Sequence, residues 1–332
     1  MAKLTLSLAC TQTDRAAPIL DGRVQIPGCD VIALPGVTQT IFQQVLNDQA
    51  FDIAEMSMSS QLVQVDRNAQ HYVAIPVFLS RAFRHSSVYI NTSSGIVRPE
   101  DLSGKTIGVQ QFQQTIGLWV RGILADEHGV ASRDVEWKNG GLEAPGGGER
   151  LKLDLPEDIR LSPIPSHDTL NGMLSRGELD AIIATKPPSS FAKGDPSVAR
   201  LFPDYVAAEI EYHRRTKAFP IMHCVVIRRS LVDAHPWLPA EVFNAFARAK
   251  AIAYSELKQV NILRLTLPWV AERAAEVRDI MGANFWKYGL SESRAEIEMM
   301  LRYAHNDGLT RRHLTPEDVF HPSTHSLPDQ TH

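Results

Sequence analysis

The chain has 332 residues, a length at which one hydrophobic core stops growing and two lobes become the expectation. Its 44% hydrophobic and 22% charged residues are ordinary for a globular protein. A formal net charge of −4 gives no general attraction for nucleic acid or an anionic membrane, so neither is an expected partner and any anion site must be a local gathering of cations.

The first ten residues alternate Leu with Thr and Ser, a period of two that reads as an opening β-strand rather than a signal peptide. Leu8-Ala9-Cys10 loosely matches a lipoprotein cleavage site, but the polar interruptions argue against one. No segment approaches 18 uninterrupted apolar residues. Cys10, Cys29 and Cys224 are odd in number, far apart and without metal-ligand spacing. A reduced, cytoplasmic protein with no structural metal is the expectation.

Strand signals at residues 30–34 and 51–56 enclose a helix at 38–47, where Ile41, Phe42, Val45 and Leu46 recur at helical spacing. Ser57-Met-Ser-Ser60 then opens a short helix carrying Leu62, Val63 and Val65. Serines at such a turn cap the new helix, and the same geometry makes an anion site where the turn faces a cleft. Next comes Pro76-Val-Phe-Leu-Ser-Arg-Ala-Phe-Arg-His85, which sets Arg81, Arg84 and His85 before a β-rich run at 88–91. Two readings stand open: a solvated strand edge, or a site offering guanidinium forks and a titratable imidazole to an anionic ligand.

The pattern restarts with a turn at 102–105 feeding a strand to Val109 and a helix from about Thr115 to Glu127, closed by Gly129. Gly104-Lys105-Thr106 superficially resembles a phosphate loop, but the required earlier glycine is Pro99 and the lysine precedes a strand, so no nucleotide site is expected. Residues 139–148 form a Gly-rich surface loop. A helix at 169–176 and a strand at 180–184 lead to Thr185-Lys186-Pro187-Pro188, and an apolar strand returns at 219–228. Beyond it, 239–266, 268–281 and 293–306 carry helical periodicity, with capping boxes at Ser293/Glu296 and Thr315/Asp318. Trp237, Trp269 and Trp286 read as packing residues, and the polar tail from Pro322 reads as frayed.

Two α/β units joined by two strand crossovers make a hinged, two-lobe architecture with a helical C-terminal region. The expected division is 1–90 plus 220–324 for the first lobe, 91–219 for the second, and a flexible tail over 325–332. Ligands in such folds bind at the carboxyl ends of strands, in the crevice between lobes.

Three phrases resemble type II periplasmic binding proteins: Phe51-Asp-Ile-Ala-Glu-Met-Ser-Met-Ser-Ser60, Asp101-Leu-Ser-Gly-Lys-Thr-Ile-Gly-Val109 and Gly177-Glu-Leu-Asp-Ala-Ile-Ile183. Narrower are Ser80-Arg-Ala-Phe-Arg-His85, Leu118-Trp-Val-Arg-Gly122, Phe219-Pro-Ile-Met-His223, Phe285-Trp-Lys-Tyr-Gly289 and Asp307-Gly-Leu-Thr-Arg-Arg-His-Leu-Thr-Pro-Glu317. Together these resemble the 4,5-dihydroxyphthalate decarboxylase family, from the first strand to about Thr324. The cysteine-rich signature of thiamine-pyrimidine precursor synthases, which share the fold, is absent.

The resemblance implies a binding-protein fold adapted to release CO2 from a hydroxylated aromatic acid, and an oligomer, which the apolar helical C-terminal region also suits. Such a reaction needs a base for a phenol para to the departing carboxylate, an acid for the ring carbon, and cations for the carboxylate retained. No metal or organic cofactor is obligatory in that scheme. His85 and His223, each near a crossover, are the acid/base candidates, and Glu55 is a candidate for taking the phenol proton or holding a cation. Arg81 and Arg84 are the first carboxylate clamps and Arg121 the third, with an ion pair as its alternative. Strand alternation would put Arg81 and His85 on one face and Arg84 on the other. Ser59, Ser60 and Thr115 are hydrogen-bond donors or plain caps, and Lys186 is a further cation or a loop lysine. His167 beside Asp168 reads as a helix start. The alternative function is a solute-binding or ligand-sensing protein for an aromatic carboxylate, which needs the clamp but no acid/base pair.

Overall fold

A computed structural model describes residues 3–329 of the chain. The chain divides into two compact units, each with its own sheet. Unit 1 comprises the residues up to Arg81, Ile221–Glu298 and those from Leu314 onward; unit 2 comprises Ala82–Pro220 and Met299–His313. The sequence reading gave all of 220–324 to the first lobe, whereas 299–313 groups with unit 2.

Unit 1 opens with β1 (Leu4–Cys10), a one-turn helix α1 (Ala17–Leu20), β2 (Cys29–Pro35), α2 (Thr38–Asp48), β3 (Ile53–Ser57), α3 (Met58–Asp66) and β4 (Tyr72–Arg81). β1 pairs in parallel with β2 and with β3. β3 is buried at every position, the all-apolar habit of a strand covered on both faces, and Glu55 is its charged exception.

Unit 2 follows with β5 (Val88–Asn91), β6 (Thr106–Val109), α4 (Thr115–His128), β7 (Glu136–Asn139), β8 (Arg160–Pro163), α5 (Leu170–Ser175), β9 (Ala181–Ile183), α6 (Ser189–Ala192), β10 (Val198–Arg200) and α7 (Tyr205–Thr216). Its strand order is β10-β5-β9-β6-β7-β8, parallel from β9 to β8 and antiparallel at β5. Tyr89, Leu170, Leu174, Leu179, Ile182 and Val198 share its core. Gly129, at φ 67°, ends α4 in the left-handed conformation that glycine adopts without strain. Gly122 lies so close to the Tyr303 ring that a Cβ there would sit 2.2 Å from it.

The chain then re-enters unit 1 with β11 (Ile221–Arg228), α8 (Arg229–Ala234), α9 (Leu238–Leu257), α10 (Val270–Met281), α11 (Arg294–Asn306, shared with unit 2) and α12 (Pro316–Val319). β11 inserts antiparallel between β3 and β4, completing the order β2-β1-β3-β11-β4. α9 buries Leu238, Val242, Phe243, Phe246, Ala249 and Ala253 along one stripe and starts with proline in its first turn, where the missing N–H costs nothing.

Several expectations are corrected. Arg81 closes β4, while Arg84 and His85 lie in the following loop and 3-10 turn, so strand alternation does not relate the three. α9 stops at Leu257 rather than near 266. Its end tightens into i→i−3 bonds, and Asn261, Thr266, the β-branched Val260 and Ile262, and Pro268 do not sustain a helix. Trp269 is 72% exposed and Trp237 is partly exposed, so of the three tryptophans only Trp286 packs as expected, under Arg15. The Thr315/Asp318 box forms as expected, and Ser293 accepts from the Arg81 guanidinium at 2.7 Å. Residues 330–332 of the expected flexible tail lie outside the described residues. Asp329, within the same tail, is buried.

Asp329 is held by Lys250. The Lys250 Nζ lies 2.5 Å from Asp329 Oδ2, 2.7 Å from the Trp286 carbonyl and 3.2 Å from Asn284 Oδ1, with both charged side chains inaccessible. Burial pulls the amine down to about 8, and the Asp329 charge opposes that shift. Asp329→Ala leaves a buried ammonium without its counter-ion and should cost about 3–5 kcal/mol. The readout is a lower urea midpoint at unchanged m-value. The paired change Lys250→Met with Asp329→Leu should recover most of the loss; an unaltered midpoint in the single variant would show that the pair does not hold the tail.

Candidate active site

The charged centre of unit 1 is built by strand pairing. In the β3–β11 ladder Glu55 stands opposite Val225, which puts His223, two residues earlier, diagonally on the same face. The imidazole Nδ1 lies 2.7 Å from Glu55 Oε1. Glu55 Oε2 accepts the backbone N–H of Thr11, just past the end of β1, at 2.7 Å. Phe42, from α2, meets the imidazole edge to face at 4.9 Å and 84°, which fixes the ring plane.

The environment separates the partners. The Glu55 side chain is 2% exposed and that of His223 20%. Burial alone would raise the Glu55 carboxyl, but the hydrogen bond and charge of His223 and the Thr11 N–H outweigh it and hold the group below the ordinary carboxylate value. An ionised Glu55 accepts at Nδ1, so it selects the Nδ1–H form of His223 and leaves Nε2 for proton exchange. Burial pushes the nearby Cys10 and Cys224 thiols far up, with the Glu55 charge adding to the effect, so neither is a nucleophile at neutral pH.

Ser59 and Ser60 are fully buried in the first turn of α3, and Ser59 Oγ lies 3.2 Å from Ser57 Oγ. Arg81 shares unit 1 but is engaged internally. Its guanidinium donates to the Lys287 carbonyl at 2.9 Å and to Ser293 Oγ, and pairs with Glu296 at 3.5 Å. Its environment is that of a buried structural arginine.

The other expected residues belong to unit 2. His85 is buried between Phe202 and Tyr212, with ring centroids at 5.1 and 5.3 Å. Burial, aided by His128, pulls its pKa down to about 4, so the ring is neutral across the physiological range. Arg84 is pulled down by burial to about 10, opposed by Glu209, and keeps its charge at neutral pH. Thr115 is buried at the start of α4, and Lys186 is exposed after β9. Arg121 is buried against Phe112, and its Nε donates to Asp307 Oδ2 at 2.6 Å. That ion pair lines a cavity of about 480 Å³ that also holds Ser132, Tyr303 and His305.

The structure therefore joins Glu55 and His223, with Ser59 and Ser60 in the helix turn that follows β3, and puts His85, Arg84, Thr115, Arg121 and Lys186 in the other unit. Sequence reasoning missed Thr11 and Phe42; only their positions, one past a strand end and one on the helix before β3, could have flagged them. It also missed Glu149. This carboxylate leaves the Gly-rich loop to accept the N–H groups of Phe112 and Gln113 at 2.6 and 3.1 Å, in the turn before α4.

No family model matches the sequence. The chain is 40% identical over 324 residues to a 4,5-dihydroxyphthalate decarboxylase of Comamonas testosteroni, covering 98% of each protein. It is 42% identical over 214 residues to the Pseudomonas putida protein of the same name, covering 64% of this chain and 83% of that one. Among solved structures, a periplasmic sulfonate-binding protein SsuA from Methylobacillus flagellatus superposes with a TM-score of 0.56 at 13% identity, covering 97% of this chain and 93% of its own. The aliphatic sulphonate binding protein SsuA of Escherichia coli gives 0.52 at 13%, covering 96% and 92%. These structures fix the architecture as a type II periplasmic-binding-protein-like fold. Identity of this level over nearly the whole of both proteins fixes the membership: the chain belongs to the 4,5-dihydroxyphthalate decarboxylase family.

Proposed function

We propose that this chain, as a carboxy-lyase of that family, converts 4,5-dihydroxyphthalate to 3,4-dihydroxybenzoate and CO2, with His223 and Glu55 as its proton-transfer pair. The family membership supports the substrate class. The observation that carries the residue assignment is the buried, ionised Glu55 directly behind a partly accessible imidazole.

With the phenol para to one carboxylate ionised, electron density rises at the carbon bearing that carboxylate. The His223 imidazolium donates its Nε2 proton to that carbon, forming the C–H bond and a dienone. The C–C bond to the carboxylate then breaks, its electron pair restores aromaticity, and CO2 departs. One proton is consumed overall, and His223 is recharged from solvent. Glu55 stabilises the imidazolium before transfer and orients the ring throughout. Arg84, still cationic at neutral pH, is our candidate for the carboxylate retained. His85 is neutral and enclosed by aromatic rings, which supports a packing role in this reading.

The first test incubates the protein with 4,5-dihydroxyphthalate and follows CO2 and product; in D2O the new ring C–H bond should carry deuterium. Tight binding without turnover would replace this reading with that of a solute-binding or sensing protein.

His223→Gln should lower kcat/KM by roughly 10²–10⁴-fold, the usual worth of a positioned acid or base. His85→Leu should change it by no more than about threefold, because a neutral packing residue contributes no proton. The reverse order in steady-state kinetics would exchange the two assignments.

Glu55→Gln keeps a hydrogen-bond acceptor but removes the charge, and should also lower kcat by at least roughly tenfold. Its effect on stability has a defined sign. Because the folded-state pKa lies below the ordinary 4.5, ionised Glu55 stabilises the fold at pH values above 4.5, and that contribution is lost as pH falls through the lowered value. Thermal melts across the acid range should lose stability more steeply in the parent than in Glu55→Gln; parallel curves would contradict the ion pair.

A further inference from the structure

We infer that residues 144–151 of unit 2 are a displaceable strap, in which Glu149 occupies a carboxylate seat that an aromatic carboxylate ligand takes over when it binds. The seat is the turn before α4. Glu149 Oε1 accepts the Phe112 N–H at 2.6 Å and Asn139 Nδ2 at 3.2 Å, and Oε2 accepts the Gln113 N–H at 3.1 Å. Successive backbone N–H groups ahead of a 14-residue helix form a concavity suited to an anion. The Gln113 side-chain oxygen accepts the N–H groups of Arg150 and Leu151 at 2.7 and 2.8 Å, which docks the strap beside its carboxylate.

The seat holds more than this glutamate uses. Arg121 is 1% exposed, and its Nη1 and Nη2 have no hydrogen-bond partner among the described residues, while Nε is taken by Asp307. Its guanidinium lies 3.8 Å from the centre of the Phe112 ring, and a Cβ on Gly117, in the first turn of α4, would come within 2.9 Å of Nη1. Two unpartnered nitrogens of a buried cation thus stand beside the turn whose N–H groups hold Glu149. Such a fork matches a planar carboxylate.

Glu149 is a poor occupant. Burial raises its carboxyl above the ordinary 4.5, against the N–H bonds of Phe112 and Gln113 and the Arg121 charge. Glu55 shows the opposite balance, held below that value. A carboxylate whose seat does not offset its burial is open to replacement by another, because the N–H bonds are exchanged while Glu149 regains water. The strap can let go without disturbing its anchor. On its near side Leu142 is fixed in the unit 2 core and Glu143 accepts the Ser189 N–H at 2.8 Å. Between that anchor and Glu149 run Ala144, Pro145 and three glycines, of which Gly146 and Gly147 hold φ of 100° and 96°. The ligand class comes from the reading above, and Arg121 with the two N–H groups joins Arg84 as a candidate for the carboxylate retained.

The probe is phthalate, which carries both carboxylates but lacks the phenols that activate the ring, so it binds without turnover. Calorimetry on the full chain should give Glu149→Ala an affinity for phthalate at least about fivefold above the parent, because a competing internal carboxylate lowers the apparent affinity by the fraction of time it is seated. Glu149→Gln keeps the shape without the charge; it should shift affinity the same way and serves if the alanine variant does not fold. Trypsin gives a second readout. Saturating phthalate should speed cleavage of the Arg150–Leu151 bond at least about fivefold as the docked Leu151 N–H comes free, whereas ligands ordinarily slow proteolysis. Unchanged or weaker binding in both variants, or a bond that phthalate protects or leaves unaffected, overturns the inference. Release of the strap by phthalate with no CO2 from 4,5-dihydroxyphthalate would instead retract the decarboxylase reading and leave the strap standing.

Discussion

A carboxylate sealed from water keeps its charge only where something nearby compensates it, and at Glu55 that compensation arrives from 168 residues further along the chain. The delivery depends on one topological step. β11 enters antiparallel between β3 and β4 after the chain has completed most of unit 2. Its register is strict because a slip of one residue would turn His223 to the opposite face and leave Glu55 with the Thr11 N–H alone. Sheet order and site chemistry are thus one constraint in unit 1: the central strands β3 and β11 are largely apolar, and the single carboxylate they carry is tolerable only in this pairing.

The same accounting explains other buried ionisable groups. Lys250 and Arg121 are paired with Asp329 and Asp307, and Arg81 is met by a carbonyl, a hydroxyl and a carboxylate. His85 takes the other course, with its charge suppressed by burial among aromatic rings. Paired charges of this kind contribute little net stability compared with apolar replacements, but each penalises an alternative packing in which one partner is missing. Asp329 shows what that does in practice. A polar segment near the chain end is tied into unit 1 by a lysine projecting from the long helix α9.

The sequence made some of this legible. Alternation identified β1, helical spacing identified α2, and a glycine marked the end of α4. These signals are local, since each depends on a period or a cap within a few residues. The Glu55 and His223 side chains could be named individually, one as an odd charge in an apolar strand and one beside a crossover. Their contact could not, because strand register is a long-range property. Arg81 and His85 illustrate the converse. Close in sequence, they read as one cluster on one strand, but β4 ends between them and the chain leaves one unit for the other. Burial was equally illegible: a histidine held between Phe202 and Tyr212 and one backed by a carboxylate look alike as letters.

The link between α9 and α10 shows where periodicity misleads and why. Helical spacing along α9 runs on into Ile262, Leu263 and Leu267, which suggested a helix continuing to 266. In the structure residues 260–269 run as bends and turns outside the sheet of unit 1. Hydrophobic pattern reports which residues avoid water, not which partner covers them. At Glu55 the missing partner is a histidine of the same chain, supplied by folding; at residues 260–269 folding of the single chain supplies none of comparable size, and six apolar side chains stay in solvent.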